Sequence, residues 1–256
     1  MSANLHDSVL GEGPDVVLLH GLFGMGGNLG SLARALQAGY RVHSIDLPNH
    51  GRSARRDEAW LLELANAVAS WMDDRHLASA AFVGHSLGGK VAMQLALTQP
   101  ARVDSLVVAD IAPVDYTPRH EAVFAALDAV AAADCRSRGE AGQLMADYIK
   151  EEGVIQFLLL SLQRGDSGRY SWRFNLEALK SNYDAIQRAP VLDVAYPGRA
   201  LFIKGGDSDY ILPEHQEQIL ARFPAADMEV MAGCGHWLHA QQPERFNALV
   251  RDFLDD

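Results

Sequence analysis

The chain has 256 residues, 48% of them hydrophobic, and a formal net charge of −11. That length and apolar content suffice for a large core, either in one domain or in one domain carrying an insert. The acidic balance excludes sequence-independent binding to nucleic acid or to an anionic membrane, both of which need a basic face, so the expected ligand is small.

Residues 1–14 contain neither a basic patch nor an apolar leader-like stretch, and residues 5–10 are expected to form an antiparallel edge strand. Apolar runs at 16–19, 41–45, 81–83, 106–109, 200–203 and 228–231 alternate with helical patterns. Most are apolar at successive positions, as strands covered on both faces must be, so the expected fold is α/β with a mostly parallel, doubly wound sheet. Between these runs, residues 115–190 have a different rhythm. No strand is expected there, and four helical stretches appear at 121–133, 140–151, 154–162 and 176–186. We read residues 115–190 as a helical cap inserted between core segments 1–114 and 191–256. The cap carries a net charge of −2 against −9 for the rest.

The most apolar run, 154–162, is interrupted by Gln156 and is too short to span a bilayer. Cys135 and Cys234 match no metal or disulfide spacing and read as reduced thiols, so a cytoplasmic protein is expected. It is expected as a monomer or a small homo-oligomer.

Chemistry concentrates at Gly84-His85-Ser86-Leu87-Gly88, where a short strand meets a helix with Leu87, Val91 and Leu95 at helical spacing. This is the form of a nucleophile elbow, a turn so sharp that glycine-sized neighbours are needed on both sides of the serine. A serine hydroxyl needs a base, and the base needs an orienting group. Of ten histidines, His236 is the expected base. It lies in Gly233-Cys234-Gly235-His236 after the last strand, at the sheet edge where open α/β folds bind ligands. The orienting acid is either Asp110, at the end of the strand after the elbow, or one of Asp207 and Asp209, after the next strand. Backbone N–H groups of Leu22, in the loop after the first parallel strand, and of Leu87 are the expected oxyanion donors. The segment Gly24-Met25-Gly26-Gly27 lacks the lysine of a phosphate loop, and no nucleotide, metal or other cofactor is expected.

Four motifs together resemble the α/β-hydrolase superfamily over essentially the whole chain. They are His20-Gly21-Leu22-Phe23-Gly24, Asp46-Leu47-Pro48-Asn49-His50-Gly51-Arg52-Ser53, Gly84-His85-Ser86-Leu87-Gly88-Gly89-Lys90 and Gly235-His236-Trp237-Leu238-His239. With Asp110-Ile111-Ala112-Pro113 and Trp172-Arg173-Phe174-Asn175, the wording is most similar to the small YbfF-like esterase branch. That resemblance implies a helical cap, hydrolysis of short or medium acyl esters or acyl-CoA thioesters, and Asp110 rather than Asp209 as the acid. The expected triad is therefore Ser86, Asp110 and His236. Phe23 and Trp172, with Phe124, Phe157, Leu158 and Phe174, are expected to line the acyl pocket.

Carbon–carbon bond hydrolysis and perhydrolysis run on the same triad and stay open at this stage. So does a non-catalytic ligand-binding protein that kept the fold. A carboxylate-nucleophile chemistry is disfavoured, because position 86 is a serine.

Overall fold

The computed structural model describes residues 4–190 and 194–256. The chain runs β1 (Asp7–Leu10), β2 (Asp15–Leu19), α1 (Gly30–Leu36), β3 (Arg41–Ile45), α2 (Leu61–Asp74), β4 (Ala80–His85), α3 (Leu87–Thr98) and β5 (Val103–Ala109). Then come α4 (Glu121–Ala132), α5 (Arg138–Met145), α6 (Glu152–Leu160), β6 (Leu162–Arg164), β7 (Tyr170–Trp172), α7 (Leu176–Ser181) and α8 (Tyr183–Gln187). The chain closes with β8 (Arg199–Gly205), α9 (Gln216–Arg222), β9 (Ala226–Met231), α10 (Leu238–Gln241) and α11 (Pro243–Asp255).

Among the described residues the main sheet has the order β1-β3-β2-β4-β5-β8-β9. All neighbours are parallel except β1, which pairs antiparallel with β3 at the edge. The strand period of two divides the core. Val16, Leu18, Val83, Val107 and Ile203 face α1 and α11, whereas Val17, Leu19, Phe82, Val108 and Phe202 face α2 and α3. Burial of each large side chain contributes about 1.5–3 kcal/mol, so a register slip that swapped the two faces would empty both layers. β9 departs from the apolar expectation. As an edge strand it leaves Asp227, Met228, Glu229 and Val230 exposed.

The segment between β5 and β8 is helical, with two corrections to the sequence reading. Residues 162–164 and 170–172 form a small antiparallel hairpin where no strand was expected. Three-residue strands show no alternation to read, and the turn is set by Gly168 at φ +82. The single helix expected over 176–186 breaks at Asn182, whose amide donates to the Asp57 and Ala178 carbonyls. The apolar residues Phe124, Leu127, Leu158, Trp172 and Leu179 join the same buried cluster as α2 and α3, so among the described residues this segment has no separate core. The expected return to the core at residue 191 falls on residues 191–193, outside the described residues. Among the described residues no helix is long and apolar enough to cross a membrane.

Candidate active site

Ser86 sits between the last residue of β4 and the first of α3, with φ +53 and ψ −118. A side chain in that conformation is strained and persists only where its surroundings over-determine it. The flanking glycines show how. A Cβ on Gly84 would lie 2.3 Å from the Gly88 carbonyl oxygen, and one on Gly88 would lie 2.2 Å from that of Leu19. The Ser86 N–H donates to Ala109 (3.0 Å) and its carbonyl accepts from Lys90 (3.0 Å), which ties the turn to the neighbouring strand and the first helical turn.

The Ser86 hydroxyl donates to His236 Nε2 at 3.0 Å, and His236 Nδ1 donates to Asp110 Oδ2 at 2.8 Å. Asp110 is fully buried, at φ +51, immediately after β5. Its other partners are the Gly205 N–H on Oδ1 (2.9 Å) and the Ser208 hydroxyl on Oδ2. Asp209 is elsewhere: its side chain is 71% exposed and pairs with Arg119 at 2.8 Å. Asp207 is exposed as well.

The His236 loop is fixed from two sides. Nε2–H of His85, the residue before the serine, donates to the His236 carbonyl at 2.8 Å. The Tyr210 ring stacks on the imidazole with centroids 3.8 Å apart and planes 18° apart.

The loop after β2 is built around two buried histidines. His20 Nδ1–H donates to the Gly21 carbonyl (2.8 Å), while Nε2 accepts from Leu47 N–H (3.0 Å). His50 Nδ1–H donates to the Pro48 carbonyl (2.9 Å), and Nε2 accepts from Phe23 N–H (3.1 Å). Asp46 holds the far end through the Gly26 N–H (2.7 Å). Among the described residues the N–H groups of Leu22 and Leu87 donate to no protein acceptor, and both residues border the space beside Ser86.

Two small cavities, of about 50 and about 20 Å³, meet at Ser86. The larger is walled by Phe23, Val123, Val154, Phe157, Leu158 and Trp237. The smaller has Lys90, His120, Gln187 and Tyr210 on its wall. Phe23, Phe157 and Leu158, expected to line an acyl pocket, border the larger cavity. Trp172 does not: it is buried inside the insert, stacked on Phe174 and donating its indole N–H to the Leu127 carbonyl at 3.0 Å. Phe124 and Phe174 stand behind Phe23, each packed on its ring. Sequence reasoning missed His120, Tyr210 and Ser208. A lone tyrosine or serine in a loop carries no local mark of the ring or carboxylate it touches across the fold.

Burial lowers the pKa of His20 to about 4, of His50 to about 3, of His120 to about 4 and of His239 to about 4. These rings are neutral in the fold but protonate near 6.5 when unfolded, so the unfolded state binds more protons below that pH. Stability is therefore expected to fall as pH drops from 6.5 toward 4. Urea unfolding midpoints between pH 7.5 and 5 check this. The His50→Gln variant, which keeps an acceptor for Phe23 N–H, should show a shallower decline, and an identical slope would contradict the assignment.

A doubly wound sheet with a serine on a strained strand-to-helix turn is the architecture of the α/β hydrolases. Residues 16–249 match the model of the Alpha/beta hydrolase family, and the chain belongs to that family. It is 41% identical to Esterase YbfF of Escherichia coli (strain K12) over 245 residues, 94% of this chain and 93% of that protein. It is 38% identical to the sn-1-specific diacylglycerol lipase ABHD11 of Mus musculus, covering 94% of this chain and 81% of the lipase. Among solved structures, a marine microorganism esterase superposes with a TM-score of 0.95 at 34% identity, covering 98% of this chain and 99% of that one.

Proposed function

We propose that this protein is a carboxylic ester hydrolase that works through an acyl-enzyme on Ser86. The continuous hydrogen-bonded line from Ser86 through His236 to Asp110 carries the reading. His236 Nε2 takes the hydroxyl proton as Ser86 Oγ attacks the ester carbonyl, and Asp110 holds the proton on Nδ1 so that Nε2 is free to accept. The N–H groups of Leu22 and Leu87 receive the oxyanion, a kind of contact whose loss costs about 2.7–4 kcal/mol per donor. The imidazolium then returns the proton to the leaving alcohol. Water, deprotonated by the same ring, releases the acid and restores the serine.

In this reading residues 115–190 act as a cap over the site. The apolar cavity bordered by Phe23, Phe157, Leu158 and Trp237 takes the acyl group. At about 50 Å³ it has room for only a few water molecules, so the cap must shift to admit a longer chain. The similarity to an esterase and a lipase favours oxygen esters over thioesters, carbon–carbon bonds or a role confined to binding. Buried, unpaired Cys135 and Cys234 support a reducing, cytoplasmic setting, and the acidic surface supports a small-molecule substrate rather than nucleic acid or an anionic membrane.

The test is a pre-steady-state burst. An acyl-enzyme releases about one p-nitrophenol per active site before deacylation limits turnover on short- and medium-chain p-nitrophenyl esters. Absence of both burst and turnover across chain lengths would favour a binding protein, and a preference for acyl-CoA would transfer the reading to thioesters.

A further inference from the structure

Besides the rings of Phe124 and Phe174 packed on Phe23, the insert reaches the loop after β2 through a buried hydroxyl. Ser161 follows α6, is fully buried, and donates its hydroxyl to the Phe23 carbonyl at 2.6 Å. Phe23 has φ +64, a left-handed conformation unfavourable for an aromatic residue, at the third position of a turn closed by Gly24 N–H to the Gly21 carbonyl (3.0 Å). Glycine is the usual occupant of such a position. Here the conformation is imposed by partners. His50 Nε2 takes the Phe23 N–H, and the Ser161 hydroxyl takes the Phe23 carbonyl. Both peptides flanking Phe23 are thereby pinned, one by the core and one by the insert. Leu22 N–H, one peptide upstream, is left unpaired beside Ser86.

We propose that Ser161 is a positioning residue for the oxyanion hole, so that the cap does more than cover the substrate: its seating sets the Leu22 donor. This rests on the esterase reading. A second contact at the same seam supports it, because Asn175 N–H donates to the Asn49 carbonyl (2.8 Å), next to the His50 that holds the other side of the turn. Without the Ser161 hydroxyl, the Phe23 carbonyl is buried without a partner, and rotation of the strained turn relieves both the strain and the lost hydrogen bond. Such a rotation moves the Leu22 N–H away from the place where the oxyanion forms. The substrate's ground state, which makes weaker use of that donor, is affected less.

The experiment compares wild type with Ser161→Ala in p-nitrophenyl ester kinetics and in affinity for an alkyl trifluoromethyl ketone. That ketone forms a tetrahedral oxyanion adduct on the active serine. Expected for Ser161→Ala are an approximately tenfold lower kcat, KM within about twofold, and an approximately tenfold weaker ketone affinity. A lower melting temperature with kcat and ketone affinity unchanged would overturn the proposal, as would a rise in KM alone. If Ser161→Ala does not fold, Ser161→Cys keeps the volume with a weaker donor. A parallel loss of about threefold or more in both readouts supports the proposal, and no change in either overturns it. A wild-type protein that neither turns over esters nor binds the ketone removes the esterase reading and this inference with it. An active wild type with a fully active Ser161→Ala removes the inference alone.

Discussion

Ser86→Ala is expected to lower kcat on a p-nitrophenyl ester by about 10⁶-fold, and adding His236→Ala to it is expected to lower kcat no further. The two side chains act as one unit. The hydroxyl is the nucleophile only while Nε2, 3.0 Å away, accepts its proton, so removing either partner removes the same step. The residual rate belongs to the oxyanion donors and to substrate binding, which neither change touches. A melting curve matching wild type establishes that Ser86→Ala is folded. Losses that multiplied in the double variant would show two independent roles, which is incompatible with proton transfer between these groups.

Asp110→Asn is expected to lower kcat by about 10⁴-fold, whereas Asp209→Asn leaves it within about threefold. The difference follows from their places. Asp110 is fully buried and accepts from His236 Nδ1, Gly205 N–H and the Ser208 hydroxyl. An asparagine there presents an amide N–H to the ring and favours the tautomer with the proton on Nε2, which cannot accept from Ser86. Asp209 holds an exposed pair with Arg119, and such pairs contribute about 0–1 kcal/mol. Kinetics of the two variants on one ester, with circular dichroism to establish folding, decide between them. Activity retained in Asp110→Asn and lost in Asp209→Asn would transfer the acid's role to the loop after β8.

Much of this was legible because it is local. The elbow requires small residues within two positions of the serine, and Gly84 and Gly88 stand there because the Gly88 and Leu19 carbonyls approach within 2.3 Å of where a Cβ would lie. The parallel sheet showed itself because strands covered on both faces are apolar at successive positions. Trp172 was misplaced for the opposite reason. An aromatic residue at the end of a three-residue strand looks the same whether it faces a cavity or the inside of the insert, and only its stacking on Phe174 and its bond to the Leu127 carbonyl separate the two. The hairpin that ends at Trp172 escaped notice because its strands are too short to carry a period.

By itself, the order of residues determined the strained serine, the alternation that builds the sheet, and a short set of carboxylates and histidines able to serve it. Position and family resemblance pointed to His236 and Asp110 among them, and only the tertiary structure brings the two into contact. Asp110 and His236 are 126 residues apart, and they meet because the sheet runs β4-β5-β8-β9, so that the loop after β9 passes the end of β8 to reach the end of β5. Strand order is set by the packing of helices on both faces of the sheet, a long-range energy that no window of sequence contains. The clamp of Ser161 on Phe23 is of the same kind: a single hydrogen bond across 138 residues, invisible until the chain is folded.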